Sequence, residues 1–295
     1  MSAAGNSLIA NSSAEEYNTS VQNLTNTEET NMKYCNVLVA GSAHLAAWAD
    51  GKLIDLAPVT MEDVLAGAEP ELKGNVIENP VYANLVRPDK LLCVGLNYRA
   101  HAQNVDMKTA DCPILFSKFA NALVPTGTDV CLPPWETSYD YEAELVIVMG
   151  KTCWNVAEED ALNYVFGFTA GNDFSCRDPQ KRTSQWLIGK TMPGFGPCGP
   201  CIVTKDEFDI SRGHSIKSYV NGELRQNGST EDMIFSCAQI ISFASRYVQL
   251  EPGDLIFTGT PSGVELEKKE KHWLKPGDVV DIDIEGIGRL TNRMV

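Results

Sequence analysis

The sequence predicts a β-rich α+β fold with a small N-terminal β module. Short apolar runs of strand length recur along the chain and are bounded by turn signals. Those signals include Asn221-Gly222 and two Pro-Gly-Asp turns, Pro252–Asp254 and Pro276–Asp278. Helical spacing is sustained over one long segment, Thr230–Ser245, where Met233, Ile234, Cys237, Ile240, Ile241 and Ala244 recur on one face. Apolar residues make up 43% of the 295, enough for a sizeable core.

Residues 1–32 are rich in Asn, Ser, Thr and Glu, lack periodicity, and are expected to be a disordered tail. Residues 33–84 form the small module. Cys35–Ala40, Ala46–Trp48 and Lys52–Leu56 read as strands with turns at Gly41-Ser42 and Asp50-Gly51. Thr60–Ala66 reads as a short helix, with Thr60 as N-cap and Asp63 three positions on. A larger domain, 85–295, follows. Lys90–Gly95 and Pro113–Phe116 are buried strands by their apolar runs, and Leu96–Cys112 between them has the length of a lid. Asp140–Met149 is a strand that alternates acidic and apolar residues before turning wholly apolar. Ala157–Tyr164 is a short helix, Val165–Asp173 a strand, and Thr191–Pro200 a Gly/Pro-rich loop. Ser218–Arg225 is a hairpin, and strands Asp254–Thr258 and Val279–Glu285 close the chain.

A net charge of −15 argues against nucleic acid and anionic membrane surfaces as partners. No apolar run is long enough to span a membrane. No basic region followed by an apolar stretch opens the chain, so a cytoplasmic location is expected. Nine cysteines, odd in number and irregular in spacing, fit reduced thiols better than a disulfide framework. Cys198-Gly-Pro-Cys201 sits in the expected loop, lacks a second cysteine pair, and opens no helix, so neither zinc nor redox chemistry is assigned to it.

The acidic strand holds the strongest chemical signal. Period two puts Asp140, Glu142 and Glu144 on one side. Adjacent buried carboxylates repel unless a positive charge neutralises them, and a hard divalent cation takes oxygen ligands readily. The plain alternative is an edge strand with a solvated acidic face. Asp173, at the end of a later strand, could complete the set, or be a turn residue beside Asn172. Arg177 and Gln180 follow at helical offsets, and an arginine there suits a substrate carboxylate. Lys190 is a salt-bridge partner or a stabiliser of developing negative charge. His101 follows a buried strand and is a candidate general base. The Phe257–Gly263 turn, with Thr260, could form a carboxylate nest.

Taken in order, Asn97-Tyr98…His101, Asp140–Leu145, Asn172-Asp173…Arg177-Asp178…Gln180, Gly189-Lys190 and Thr258–Val264 resemble the fumarylacetoacetate hydrolase superfamily over residues 88–295. Residues 34–84 resemble, more loosely, the N-terminal β module of some bacterial-type members. The resemblance implies a mixed β-sandwich roll, usually a homodimer. It implies Mg²⁺ ligands at Glu142, Glu144 and Asp173, with Mn²⁺ or Ca²⁺ as alternatives. It implies a water-activating or proton-moving role for His101 and an oxyanion- or enolate-stabilising one for Lys190. Arg177, Gln180, Thr260 and Lys118 are then substrate contacts, and Asp140 is not a ligand. Two positions depart from the family pattern. Phe119 stands where proline is common, and Asn104 stands where the family often pairs the histidine with a glutamate. An amide can orient an imidazole but cannot raise its basicity. The implied activity is Mg²⁺-dependent C–C hydrolysis of a small 2-oxo or 1,3-dioxo carboxylate. Asn104 shifts weight toward decarboxylation, tautomerisation or a biosynthetic isomerisation of an oxaloacetate-like acid. A non-catalytic, metal-bound ligand-binding protein is the reading from another class.

Overall fold

The computed structural model describes residues 32–104 and 110–295. The expected tail, apart from Met32, lies outside these residues, as does part of the Leu96–Cys112 segment.

Two sheets pack face to face. The larger has eleven strands. Its main path runs Lys52–Asp55, Ser42–Ala49, Lys33–Val39, Gly196–Thr204, Val165–Asn172, Ala143–Met149, Leu255–Phe257, Leu91–Gly95, Ile114–Lys118. The stretch 33–84 joins this sheet through antiparallel pairing of Lys33–Val39 with Gly196–Thr204. The second sheet has five strands, ordered Glu223–Ser229, Ser215–Val220, Val279–Ile284, Gly288–Met294, Asp129–Val130. Its middle strands bury alternate residues, among them Ile216, Val220, Val280, Ile282, Ile284 and Leu290, as a one-sided sheet must. Ala143–Met149 is buried at every position, which explains why its sequence stops alternating after Glu144. The result is a strand-rich fold with mixed sheets and few helices, and among the described residues no sheet closes on itself. Among the described residues no helix is long and apolar enough to cross a membrane.

Several elements differ from their sequence reading. The acidic strand is broken in two. Tyr139–Asp140 pairs with Ser175–Cys176 in a separate ribbon, and the long strand begins at Ala143. Asp140 therefore leaves the Glu142–Glu144 row. Thr191–Pro200 was expected to be loop, yet Gly196–Thr204 is a buried strand of the large sheet, with the CxxC inside it. The Thr230–Ser245 helix is split. A 3-10 turn covers Thr230–Asp232, and the α-helix starts at Cys237 with a Ser236/Gln239 capping box. Asn97 causes the break: its side chain accepts from the Phe235 amide (2.8 Å) and donates to the Phe235 carbonyl (3.0 Å). The Met61–Leu65 helix does carry the expected Thr60/Asp63 capping box.

Candidate active site

Glu142 and Glu144 lie at the start of the Ala143–Met149 strand, and Asp173 follows the Val165–Asn172 strand paired with it. The Asp173 amide donates to the Glu142 carbonyl at 3.0 Å, so antiparallel pairing alone brings the acids together. All three carboxylates are buried, and one oxygen of each lies within 4.8 Å of the others. Beside them is a cavity of about 340 Å³, a size that suits a small metabolite. Glu142, Glu144, Lys190, Arg177 and Gln180 line it, with His101, Asn104 and Thr260. Phe116, Trp186 and Leu266 give it an apolar side; the Phe116 and Trp186 rings meet edge to face at 5.3 Å.

Lys190 ends the Leu187–Lys190 helix, with its Nζ 2.7 Å from Glu142 Oε2 and 2.6 Å from Asp173 Oδ2. It also lies 5.2 Å from the centre of the Phe116 ring. Gly189 makes this position reachable. A Cβ there would stand 2.5 Å from both the Cys176 carbonyl oxygen and the Gln180 nitrogen. Arg177 grips Asp140 Oδ2 through Nε (2.8 Å) and Nη2 (2.7 Å), and Glu142 Oε1 through Nη2 (2.7 Å).

Four buried carboxylates, Asp140, Glu142, Glu144 and Asp173, thus meet three buried cations, Lys118, Arg177 and Lys190. The shortfall falls on Glu144. It has no ion-pair partner among the described residues, and its Oε2 accepts only the Gly259 amide at 2.8 Å. Burial, then the charges of Asp173 and Glu142, push its carboxyl well above the usual range. Burial also acts to raise Glu142, but Lys190 and Arg177 overcome it and hold that carboxyl below its usual range. Lys190 is raised by Asp173 and Glu142 despite the opposing effect of burial. An all-oxygen set with one uncompensated negative charge fits a hard divalent cation.

Three expected substrate contacts are already engaged within the protein. Lys118 is fully buried and does not line the cavity. It donates to the carbonyls of Phe174 (3.1 Å), Phe195 (2.7 Å) and Lys190, and pairs with Asp173 Oδ1 at 2.5 Å. Its expected role is corrected on that ground: it props Asp173 from behind. Arg177 is held by carboxylates, as described. The Thr260 hydroxyl donates to the Ala143 carbonyl (2.8 Å) and accepts from Gln226 (2.7 Å). Since the Gly259 amide is taken by Glu144, the expected nest at Phe257–Gly263 is largely occupied from inside. Asp140 binds Arg177 and also accepts the amides of Glu265 (2.8 Å) and Leu266 (2.9 Å), which anchors the 265–267 turn.

That turn delivers a residue that sequence reasoning missed. Glu267 Oε1 contacts His101 Nδ1, and its Oε2 accepts from Asn104 Nδ2 at 3.0 Å and the Gly263 amide at 2.9 Å. Burial acts to raise this carboxyl, but its bonds to His101, Gly263 and Asn104 bring it below its usual range. No local signal could have found it, since 166 residues separate it from His101. His101 therefore has a carboxylate partner, Glu267, although Asn104 stands where the family often has glutamate.

A family model described as fumarylacetoacetate (FAA) hydrolase C-terminal matches residues 90–295. The chain belongs to the fumarylacetoacetate hydrolase family. It is 41% identical over 214 residues, 72% of this chain and 68% of the relative, to a Rattus norvegicus protein named oxaloacetate tautomerase Fahd2a, mitochondrial. The solved fumarylacetoacetate hydrolase from Exiguobacterium antarcticum is 35% identical, covers 89% of this chain and 99% of its own, and superposes with a TM-score of 0.82. Fumarylpyruvate hydrolase from Pseudomonas aeruginosa, solved in complex with Mn²⁺ and pyruvate, is 34% identical, with coverage of 71% and 91% and a TM-score of 0.65. In this family member, then, the buried acids and the cavity beside them form the candidate active site.

Proposed function

We propose that this family member is a metal-dependent enzyme that enolises a small 2-oxo acid, interconverting the keto and enol forms of an oxaloacetate-like substrate. One observation carries the reading: Glu142 and Glu144, grouped with buried Asp173 in a carboxylate set with one unmatched charge, line a metabolite-sized cavity together with Lys190 and His101. Glu142, Glu144 and Asp173 would hold the divalent cation, Mg²⁺ or Mn²⁺, whose chemistry is to polarise the substrate's oxo group. Lys190 keeps its proton between Glu142 and Asp173 and offers positive charge where negative charge develops on the substrate oxygen. His101, on the same cavity, moves the proton at carbon. Gln180 accepts from Arg177 through Oε1 at 3.1 Å, which leaves its amide nitrogen to bind the acid. The likeness to the rat oxaloacetate tautomerase supports this choice.

A second reading, hydrolysis of an acylpyruvate, is favoured by the His101–Glu267 contact, because a carboxylate-backed imidazole can activate water. Assays of oxaloacetate and an acylpyruvate, with Mg²⁺ or Mn²⁺ and with chelator, separate the two. Metal-dependent acceleration of enol decay in oxaloacetate without acylpyruvate cleavage is the expected result. Cleavage at comparable rates would move the assignment to hydrolysis, and turnover unaffected by chelator would defeat both. Assembly as a homodimer belongs to the same proposal and is read by light scattering.

A further inference from the structure

We infer that Asn104 and Glu267 are a matched pair, in which the carboxylate that orients His101 comes from the 265–267 turn and residue 104 must therefore be neutral. The inference deepens the enolising reading and rests on it only for its kinetic arm.

Both oxygens of the Glu267 carboxylate are engaged. Oε1 faces His101 Nδ1, while Oε2 takes the Asn104 amide at 3.0 Å and the Gly263 amide at 2.9 Å. Both His101 and Glu267 side chains are 7% exposed, so the contact is largely shielded from solvent. An ionised carboxylate accepts only, so Nδ1 carries the proton. In the neutral ring that arrangement leaves Nε2 its lone pair, the form a general base needs. The turn itself is fixed by Asp140, which accepts the Glu265 and Leu266 amides and is locked by Arg177. A chain of contacts thus runs from the metal-ligand Glu142, through Arg177 and Asp140, to the orientation of His101.

Asn104 is part of this device and not a gap in it. Its amide donates to the oxygen that His101 does not use. A glutamate at 104 would put a second negative charge against Glu267; position 104 is itself exposed, but the Glu267 side chain is 7% exposed, and like charges that close repel. The pair therefore predicts a reversal of sign. In the wild-type background Asn104→Glu lowers turnover. With Glu267→Gln already present, the same substitution restores it by supplying the carboxylate from the other side.

Two measurements on the full chain test this. The first needs no substrate. Histidine-labelled nitrogen NMR reads the His101 tautomer, expected as Nδ1–H in the wild type and shifted toward Nε2–H in Glu267→Ala. An unchanged tautomer in that variant would overturn the inference, whatever the enzyme acts on. The second is kinetic, on oxaloacetate with Mg²⁺. Glu267→Gln and Asn104→Glu are each expected to lower kcat about 10- to 100-fold with little change in KM, the range for losing a group that orients a catalytic one. The double variant is expected to recover at least tenfold over Glu267→Gln. Failure to recover, with the double variant folded by circular dichroism, would reduce Glu267 to a structural latch and overturn the positioning role.

Discussion

At the scale of single residues, Glu144 and Asp173 look alike in sequence and differ sharply in surroundings. Glu144 is buried without a cation, whereas Asp173 joins Lys118 and Lys190. Substituting either should abolish tight Mn²⁺ binding in calorimetry, but their effects on metal-free stability should oppose each other. Glu144→Gln removes an uncompensated buried acid and should raise urea resistance in chelator, by about 1 kcal/mol. Asp173→Asn strands the buried Lys118 ammonium and leaves Lys190 with Glu142 alone, and should cost roughly 3–5 kcal/mol. Equal destabilisation by both would contradict the charge imbalance assigned to Glu144. The sequence made Glu142 and Glu144 legible because strand period is a local property, whereas only the family resemblance set Asp140 apart from them. It misassigned Lys118 because whether a lysine faces a cavity or the carbonyls behind it depends on three segments distant in the chain, which meet around Phe174, Lys190 and Phe195.

At the scale of elements, the two short helices Arg177–Lys181 and Leu187–Lys190 set the height of Lys190 above the acids. They touch at Gly189, where any Cβ collides with backbone that cannot move aside as a side chain could. Gly189→Ala should cost about 1–3 kcal/mol in denaturant unfolding. It should also lower kcat, because the helix carrying Lys190 must back away. Unchanged stability would mean the helices are not packed as closely as described. Element identity was readable from sequence where capping chemistry is local, as at Thr60 and Asp63. It failed where tertiary contacts override pattern. The apolar spacing across Thr230–Ser245 is sound, yet Asn97 intercepts the backbone at Phe235 and divides the helix. Glycine and proline in Thr191–Pro200 suggested a loop, but neighbours on both sides draw Gly196–Thr204 into the sheet.

At the scale of the whole molecule, the same misread strand shapes how the fold responds to alkali. Cys198 and Cys201 are buried within Gly196–Thr204, and Cys237 is buried at the start of the Cys237–Ser245 helix. Burial pushes these thiols up to about 12, about 11 and about 12, Lys33 partly opposing it at Cys201. In the unfolded chain a thiol ionises near ~8.5. Between that pH and about 11 the unfolded state sheds protons that the folded state keeps, so stability falls as pH rises. Each thiol contributes a loss of about 1.4 kcal/mol per pH unit, and three together about 4. Set against the ~5–15 kcal/mol that holds a typical domain, this predicts loss of the fold within a few pH units above 8.5. Guanidinium midpoints at pH 8, 9 and 10, with reductant present, should fall progressively, and Cys198→Ala should flatten the slope by about one thiol's share. A midpoint independent of pH would mean that these thiols reach water in the native state. That outcome would contradict the placement of the CxxC stretch in the sheet that links the N-terminal strands to the catalytic ones.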